Sequence, residues 1–276
     1  MAFIELILMS SFGAEWANNA INTDVQKRRF TLFLHTVYSD RSDKYGKLVE
    51  MKICTYTVKS DKGFAPNPFY RYCTLAACTP NHMNARLISG DYIVGFFTDR
   101  DEPFLLYWMK IDEVLDYVTY FNDSRFQRKK PNLKCSWISR CGDNIYYKNE
   151  RDKWKQIPTV HHDDAKSRKK DTRHAIVYVS RYFSYFGENS YCQENRLPKK
   201  IQYIYRGGRG IKYIQDTASD FDKLLKWLHS KPLGRRGDPR DKEDRHSCIT
   251  FEQYERHKLR TKAFTRIQKL CDFRSG

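Results

Sequence analysis

Acidic residues are the scarce side of this chain's charge. Only 33 Asp and Glu stand against 50 Lys and Arg in 276 residues, leaving a formal net charge of +17. Long apolar runs are missing too: none approaches the ~20 residues a helix needs to cross a bilayer, which argues against a membrane protein. The opening MAFIELILMSSFGA is too short for a secretory leader, and its first charge is the acidic Glu5. No CxxC pair occurs. The closest cysteine spacings, Cys73/Cys78 and Cys135/Cys141, do not suit a compact zinc knuckle. The eight cysteines are therefore expected to be reduced, mostly buried, small hydrophobes in a cytoplasmic protein. GxxxxGK[ST], HExxH, GxSxG and the dinucleotide fingerprint are all absent, so no cofactor is expected. The nearest thing to a metal cluster is His161-His162-Asp163-Asp164. Adjacent residues of an extended segment point to opposite faces, so it reads as a polar loop and no metal is expected.

What is present is ring-rich and basic. Aromatics make up 15% and hydrophobic residues 40% of the chain, which excludes wholesale disorder. The length suits one large domain or two small ones around a sizeable core. A cationic surplus points to a polyanion such as nucleic acid. It is concentrated: residues 125–173 hold 15 Lys/Arg against 6 Asp/Glu, more than half of the excess. Phe126, Trp137, Tyr146, Tyr147 and Trp154 interleave with these cations. Cations for phosphates and rings for bases are what a nucleic-acid surface needs.

Residues 1–50 lack clear periodicity and read as an appendage, or as an over-extended start. Met51 opens the strand-like MKICTYTV, and a domain is expected over 51–232. The loop 62–69 holds Pro66 and Pro68, so it is expected outside a sheet ladder. Residues 92–97 and 104–111 read as a hairpin with its turn at 98–102, and 112–121 as a short helix. Residues 175–183 and 201–205 are further strand candidates. Ser219 caps a helix whose apolar face is Phe221, Leu224, Leu225 and Leu228. Residues 233–276 read as a basic linker, flexible over 234–244, and an amphipathic helix starting at Thr250.

Several motifs offer site chemistry. Gly142-Asp143-Asn144-Ile145-Tyr146 puts an acceptor and a donor beside a ring, as base-edge reading requires; it is also an ordinary turn sequence. Phe64 and Asn67 could line the same pocket, and Tyr182–Gly187 could add Tyr185 and Phe186. Arg209 and Lys212 in GGRGIK, with Arg128, Lys129 and Lys130, are the phosphate-binding candidates.

The ordered series DKGFAPNPFYRYCTLAAC (61–78), GDYIVG (90–95), YFNDSRFQRKKP (120–131), GDNIYY (142–147), YFSYFG (182–187) and GGRGIK (207–212) resembles the nucleotide modification associated domain family, second type. That family occurs in bacteria and their phages, and the resemblance spans about 51–238. It implies a link to modified bases in DNA or to defence systems that sense them, and supplies no catalytic residue. Over about 25 residues, the Gly-Asp step entering the hairpin also resembles PUA-like barrels, whose mouths hold a flipped base. The expected fold is therefore α+β, a mixed or antiparallel, barrel-like sheet with flanking helices.

The leading expectation is a reader of a modified nucleotide, partnered by nucleic acid, DNA favoured, and by other modification-system proteins. Phe64, Trp108, Tyr146, Tyr185 and Phe186 would form its pocket, with Asn67, Asp143 and Asn144 reading the base. The alternative is an enzyme acting on a base or nucleotide, a glycosylase or base-modifying transferase. Asp143 or Asp61 would then serve as general base or stabilise a cationic transition state.

Overall fold

The computed structural model describes residues 50–77, 85–161, 164–205, 210–215 and 219–241. The chain divides between Glu50 and Met51 into two units, and the second carries the elements below. They run β1 (Lys52–Thr57), β2 (Cys73–Leu75), β3 (Tyr92–Asp99), β4 (Glu102–Lys110), β5 (Glu113–Asp116) and α1 (Tyr117–Asn122). A 3-10 helix, Ser124–Lys129, leads to α2 (Trp137–Arg140), β6 (Tyr146–Lys148), β7 (Trp154–Gln156) and α3 (Ala165–Asp171). Next come β8 (Ile176–Ser180), β9 (Tyr182–Tyr185), β10 (Ile211–Gln215), α4 (Ser219–His229) and β11 (Gly234–Arg235).

The fold is α+β, built on a six-stranded mixed sheet of order β10-β1-β3-β4-β9-β11. β1 pairs with β3, and β9 with β11, in parallel; the other neighbours are antiparallel. The outer strands do not meet, so the barrel-like closure anticipated from the hairpin is absent: the sheet is open. A three-stranded antiparallel sheet, β2-β8-β5, packs against one face. Between the two sheets lie Cys54, Tyr56, Leu75, Ile93, Tyr107, Tyr178 and Tyr185. The opposite face of the large sheet receives α4, whose Phe221, Leu224 and Leu228 are buried. The outer face of the small sheet buries Tyr117, Tyr120, Phe126, Ile145 and Tyr146 against Val177 and Val179. That outer layer carries the candidate site.

Several local expectations need correction. Residues 175–183 are two strands, not one: Ser180 Oγ bonds Tyr182 around Arg181, and the halves join different sheets. The helix expected over 112–121 begins as β5 and turns helical only at Tyr117, where Asp116 caps Val118 and Thr119. Lys199–Ile204 is a 3-10 helix rather than a strand. The linker expected to be flexible is built into the fold over 234–241. Its first two residues pair with β9, Asp61 bonds the amides of Arg240 and Asp241, and Asp238 O accepts from Glu188. The helix expected from Thr250 lies outside the described residues.

A buried lysine beneath a cationic, aromatic face

The sequence YFNDSRFQRKKP packs itself by its own period. At three residues per turn, the 3-10 helix puts Phe126 and Lys129 on one side and Arg125 and Arg128 on another. Phe126 is the apolar anchor, and it draws Lys129 inward with it. Both are wholly buried. The Lys129 ammonium spends its three N–H groups on Asn67 Oδ1 at 2.8 Å and on the carbonyls of Asn67 and Tyr72 at 3.0 Å each. Burial still pushes the amine down, to about 8, against the opposing pull of Asp143. Lys129 is therefore out of reach of a phosphate, contrary to the sequence expectation.

The GDN turn is stapled beside it. A Cβ on Gly142 would fall 2.3 Å from the Lys129 carbonyl oxygen, so only glycine lets the turn pass there. Asn144 N donates to that same carbonyl, and Asn144 Nδ2 bonds the carbonyls of Tyr120 and Phe126. Asp143 accepts from Thr74 Oγ1 at 2.6 Å and from the Tyr120 hydroxyl at 2.7 Å. Burial raises its carboxyl, with the Lys129 charge and these two bonds working the other way. Thr74 reaches it because β2 alternates: Cys73 and Leu75 face the large sheet, and Thr74 faces outward. Asn67 completes the network, donating to the Cys141 carbonyl.

The structure thus brings Asn67, Lys129, Asp143 and Asn144 together, but as a buried network whose hydrogen bonds are made within the protein, apart from Asn144 Oδ1, which has no partner among the described residues. Thr74 and Tyr120, which sequence reasoning missed, belong to it. Tyr146 lies in the same layer, stacked on Tyr117 at 5.2 Å and donating to Asp171. Phe64 packs on His161. Asp61 is apart. It accepts both bonds of a forked Tyr185 hydroxyl at 2.8 Å and the amide of Arg240, and burial raises its carboxyl. Cys73 feels both sites: burial pushes its thiol up to about 12, and Lys129, Asp143 and Asp61 all act on it. Phe186 is buried next to the 234–241 segment, its carbonyl against Gly237. Trp108 lies on the other face of the large sheet with Tyr92, Tyr182 and His229, so it cannot share a pocket with Asp143. Lys212 is exposed on edge strand β10; Arg209 lies outside the described residues, as do His162 and Asp163. Asp164 caps α3 through Ser167.

The neighbours of Lys129 point the other way. The Arg128 guanidinium sits 4.3 Å above the Tyr70 ring, and Lys130 Nζ lies 3.6 Å from the centre of Phe121. Phe121 stacks on Tyr147 at 4.9 Å. On the far side Tyr70 adjoins Phe69, which contacts Trp137 and is covered by Arg235. Arg125, by contrast, is spent on Glu113 and Asp123. Arg128 and Lys130 have no carboxylate partner among the described residues. An open depression of about 390 Å³, lined by Glu188 and Arg235–Asp238, adjoins the Arg235 end of this face.

A family model, nucleotide modification associated domain 2, matches residues 50–246. The chain belongs to that family. No curated protein and no solved structure matches it. In this nucleotide modification associated domain, the network and the cationic face both fall within the matched residues, as do all the candidate site residues. Membership ties the chain to nucleotide modification systems. Among the described residues no helix is long and apolar enough to cross a membrane, and no group of three or more His, Cys, Asp or Glu is placed to hold a metal ion.

Proposed function

We propose that this protein binds nucleic acid, DNA in the first instance, and recognises a modified nucleotide in a bacterial or phage modification or defence system. One observation carries the reading. Arg128 and Lys130, flanking the inward Lys129, each hold their charge over a ring, Tyr70 and Phe121 respectively, unpaired with any described carboxylate. Cations over half-buried rings offer both things a polynucleotide needs, phosphate neutralisation and a stacking surface. The net charge of +17 and the family's link to nucleotide modification support the same assignment.

The test is a titration with labelled DNA, modified and unmodified, across salt concentrations. The affinity should fall with salt, and Arg128→Ala/Lys130→Ala should lower the slope of log K against log salt by about 1.5. A flat salt response, or no preference for any modified base, refutes the proposal. An enzymatic reading has one observation behind it. Lys129, Asp143 and Tyr120 form a buried group with displaced ionisation, of a kind that gathers at catalytic sites. Mass analysis of modified DNA after incubation separates the two. Release of a base, lost in Asp143→Asn, would favour the enzyme.

A further inference from the structure

Residues 67–74 form a hairpin. Asn67 and Thr74 exchange both backbone bonds, and the centre of the loop is Tyr70-Arg71. Both have positive φ, +59° and +71°. A two-residue turn of this handedness is built by Asn-Gly or Asp-Gly, because a side chain in the left-handed region crowds its own backbone. Tyr and Arg are poor choices for the bend itself. They stay there because the hairpin is clamped: Lys129 bonds carbonyls on both sides of the turn, and Asn67 Oδ1 also takes the Phe69 amide. The Tyr70 hydroxyl is within 3.3 Å of Ser139 Oγ, and Arg128 lies over the ring. Arg71 is exposed. Strain held in place by surrounding structure, at a tip that presents a ring and cations, points to use of the tip itself.

We infer that the Tyr70-Arg71 turn is a recognition tip that holds an unpaired base, stacked on the Tyr70–Arg128 pair, with Arg71 on the adjoining phosphate. This rests on the nucleic-acid reading above and narrows it to single strands or extruded bases. In a duplex the π-faces of the bases are already covered by their neighbours. A ring can stack only on a base that has left the helix. Arg128 is exposed and lies 4.3 Å from the Tyr70 ring centre, within reach of a base stacked there.

The experiment compares Tyr70→Asn/Arg71→Gly with the unmodified protein. The substitution installs the residues the bend prefers, so the variant should resist urea better. A second hairpin tip, Arg100-Asp101, also has positive φ at both positions (+45° and +65°) and gives the control, Arg100→Asn/Asp101→Gly. The probes are a labelled mixed-sequence single-stranded DNA, the same sequence as RNA, and the DNA duplex. The full-length protein should bind a single strand more tightly than the duplex. Tyr70→Asn/Arg71→Gly should bind it about ten-fold more weakly or worse, the loss of one stacking ring, and the control should bind unchanged. Tyr70→Leu keeps the backbone demand and removes only the aromatic face. It should lose affinity too, whatever happens to the double variant's stability. Full affinity in either Tyr70 variant, or preference for the duplex, overturns the tip while leaving nucleic-acid binding intact. Failure of the unsubstituted protein to bind any of the three probes overturns both readings.

Discussion

Replacing Lys129 by Met tests the network most directly, because Met fills much of the same space and deletes only the charge and its bonds. Three bonds of 2.8–3.0 Å to oxygen are lost, each worth about 1.5–3 kcal/mol for a charged donor. Against this, removing the ammonium relieves a desolvation cost. The fall of its pKa from 10.5 to about 8 means the charged form is disfavoured by about 3 kcal/mol relative to water. The remaining effect is on Asp143, which keeps Thr74 and Tyr120 but loses its cation; stranding one member of a buried charged pair costs about 3–5 kcal/mol. The sum is a destabilisation of about 4 kcal/mol or more, which moves the urea midpoint down by about 1 M or more. Adding Asp143→Asn in the Lys129→Met background should cost less than it does alone, with a coupling of about 1–3 kcal/mol. Followed by tryptophan fluorescence in urea, Lys129→Met as stable as the parent would refute the argument. So would strict additivity in the double variant, which would show that the two charges do not support each other.

Further outcomes follow from other parts of the fold. Burial, and secondarily Lys110, lowers His229 from 6.5 to about 4. A depressed folded pKa means the stabilisation is complete above 6.5 and is lost as pH falls toward 4. The loss attributable to this residue should be about 3 kcal/mol, and denaturation of His229→Phe across that range should show a flatter pH dependence. Tyr185→Phe removes both bonds to the Asp61 carboxylate, at a cost of about 2–3 kcal/mol at neutral pH. Because burial raises the Asp61 carboxyl, that cost should shrink on acidification as the group becomes neutral, which paired melts at the two pH values will show. Gly187 has φ +54°, and an added Cβ would fall 2.0 Å from Asp238 O. Gly187→Ala should therefore lose about 2–4 kcal/mol and open residues 234–241 to protease, read by limited proteolysis.

What could be read from the sequence was whatever local periodicity determines. The β3–β4 hairpin and β1 follow from alternating, β-branched runs, and α4 from Phe221, Leu224 and Leu228 at helical spacing. The family emerged from the order of short motifs that are each weak alone. What was hidden depends on partners far along the chain. The three-residue spacing from Phe126 sets the side on which Lys129 lies, but only in a 3-10 helix that the sequence does not announce, and the oxygens that hold it come from residues 57 and 62 positions earlier. Thr74 and Tyr120 give no sign of a shared carboxylate. The Tyr70-Arg71 bend escaped because it lacks the Asn-Gly that marks such turns. Asp143 and Asn144 read as base-edge groups, and they equally suited the enclosed turn in which they lie. The strand break at Arg181 is a tertiary decision: the two halves are equally strand-like and simply belong to different sheets.

The short parallel strand β11 has a meaning beyond the two pairs it makes. It lies along the outer edge of β9, where the large sheet would otherwise end in a row of unsatisfied amides and carbonyls. A chain cut after α4 would keep every described helix and most of the described core yet offer that edge to any passing strand. Such a fragment should come out of solution by self-association, edge to edge, and its insolubility would say nothing about whether its core had folded.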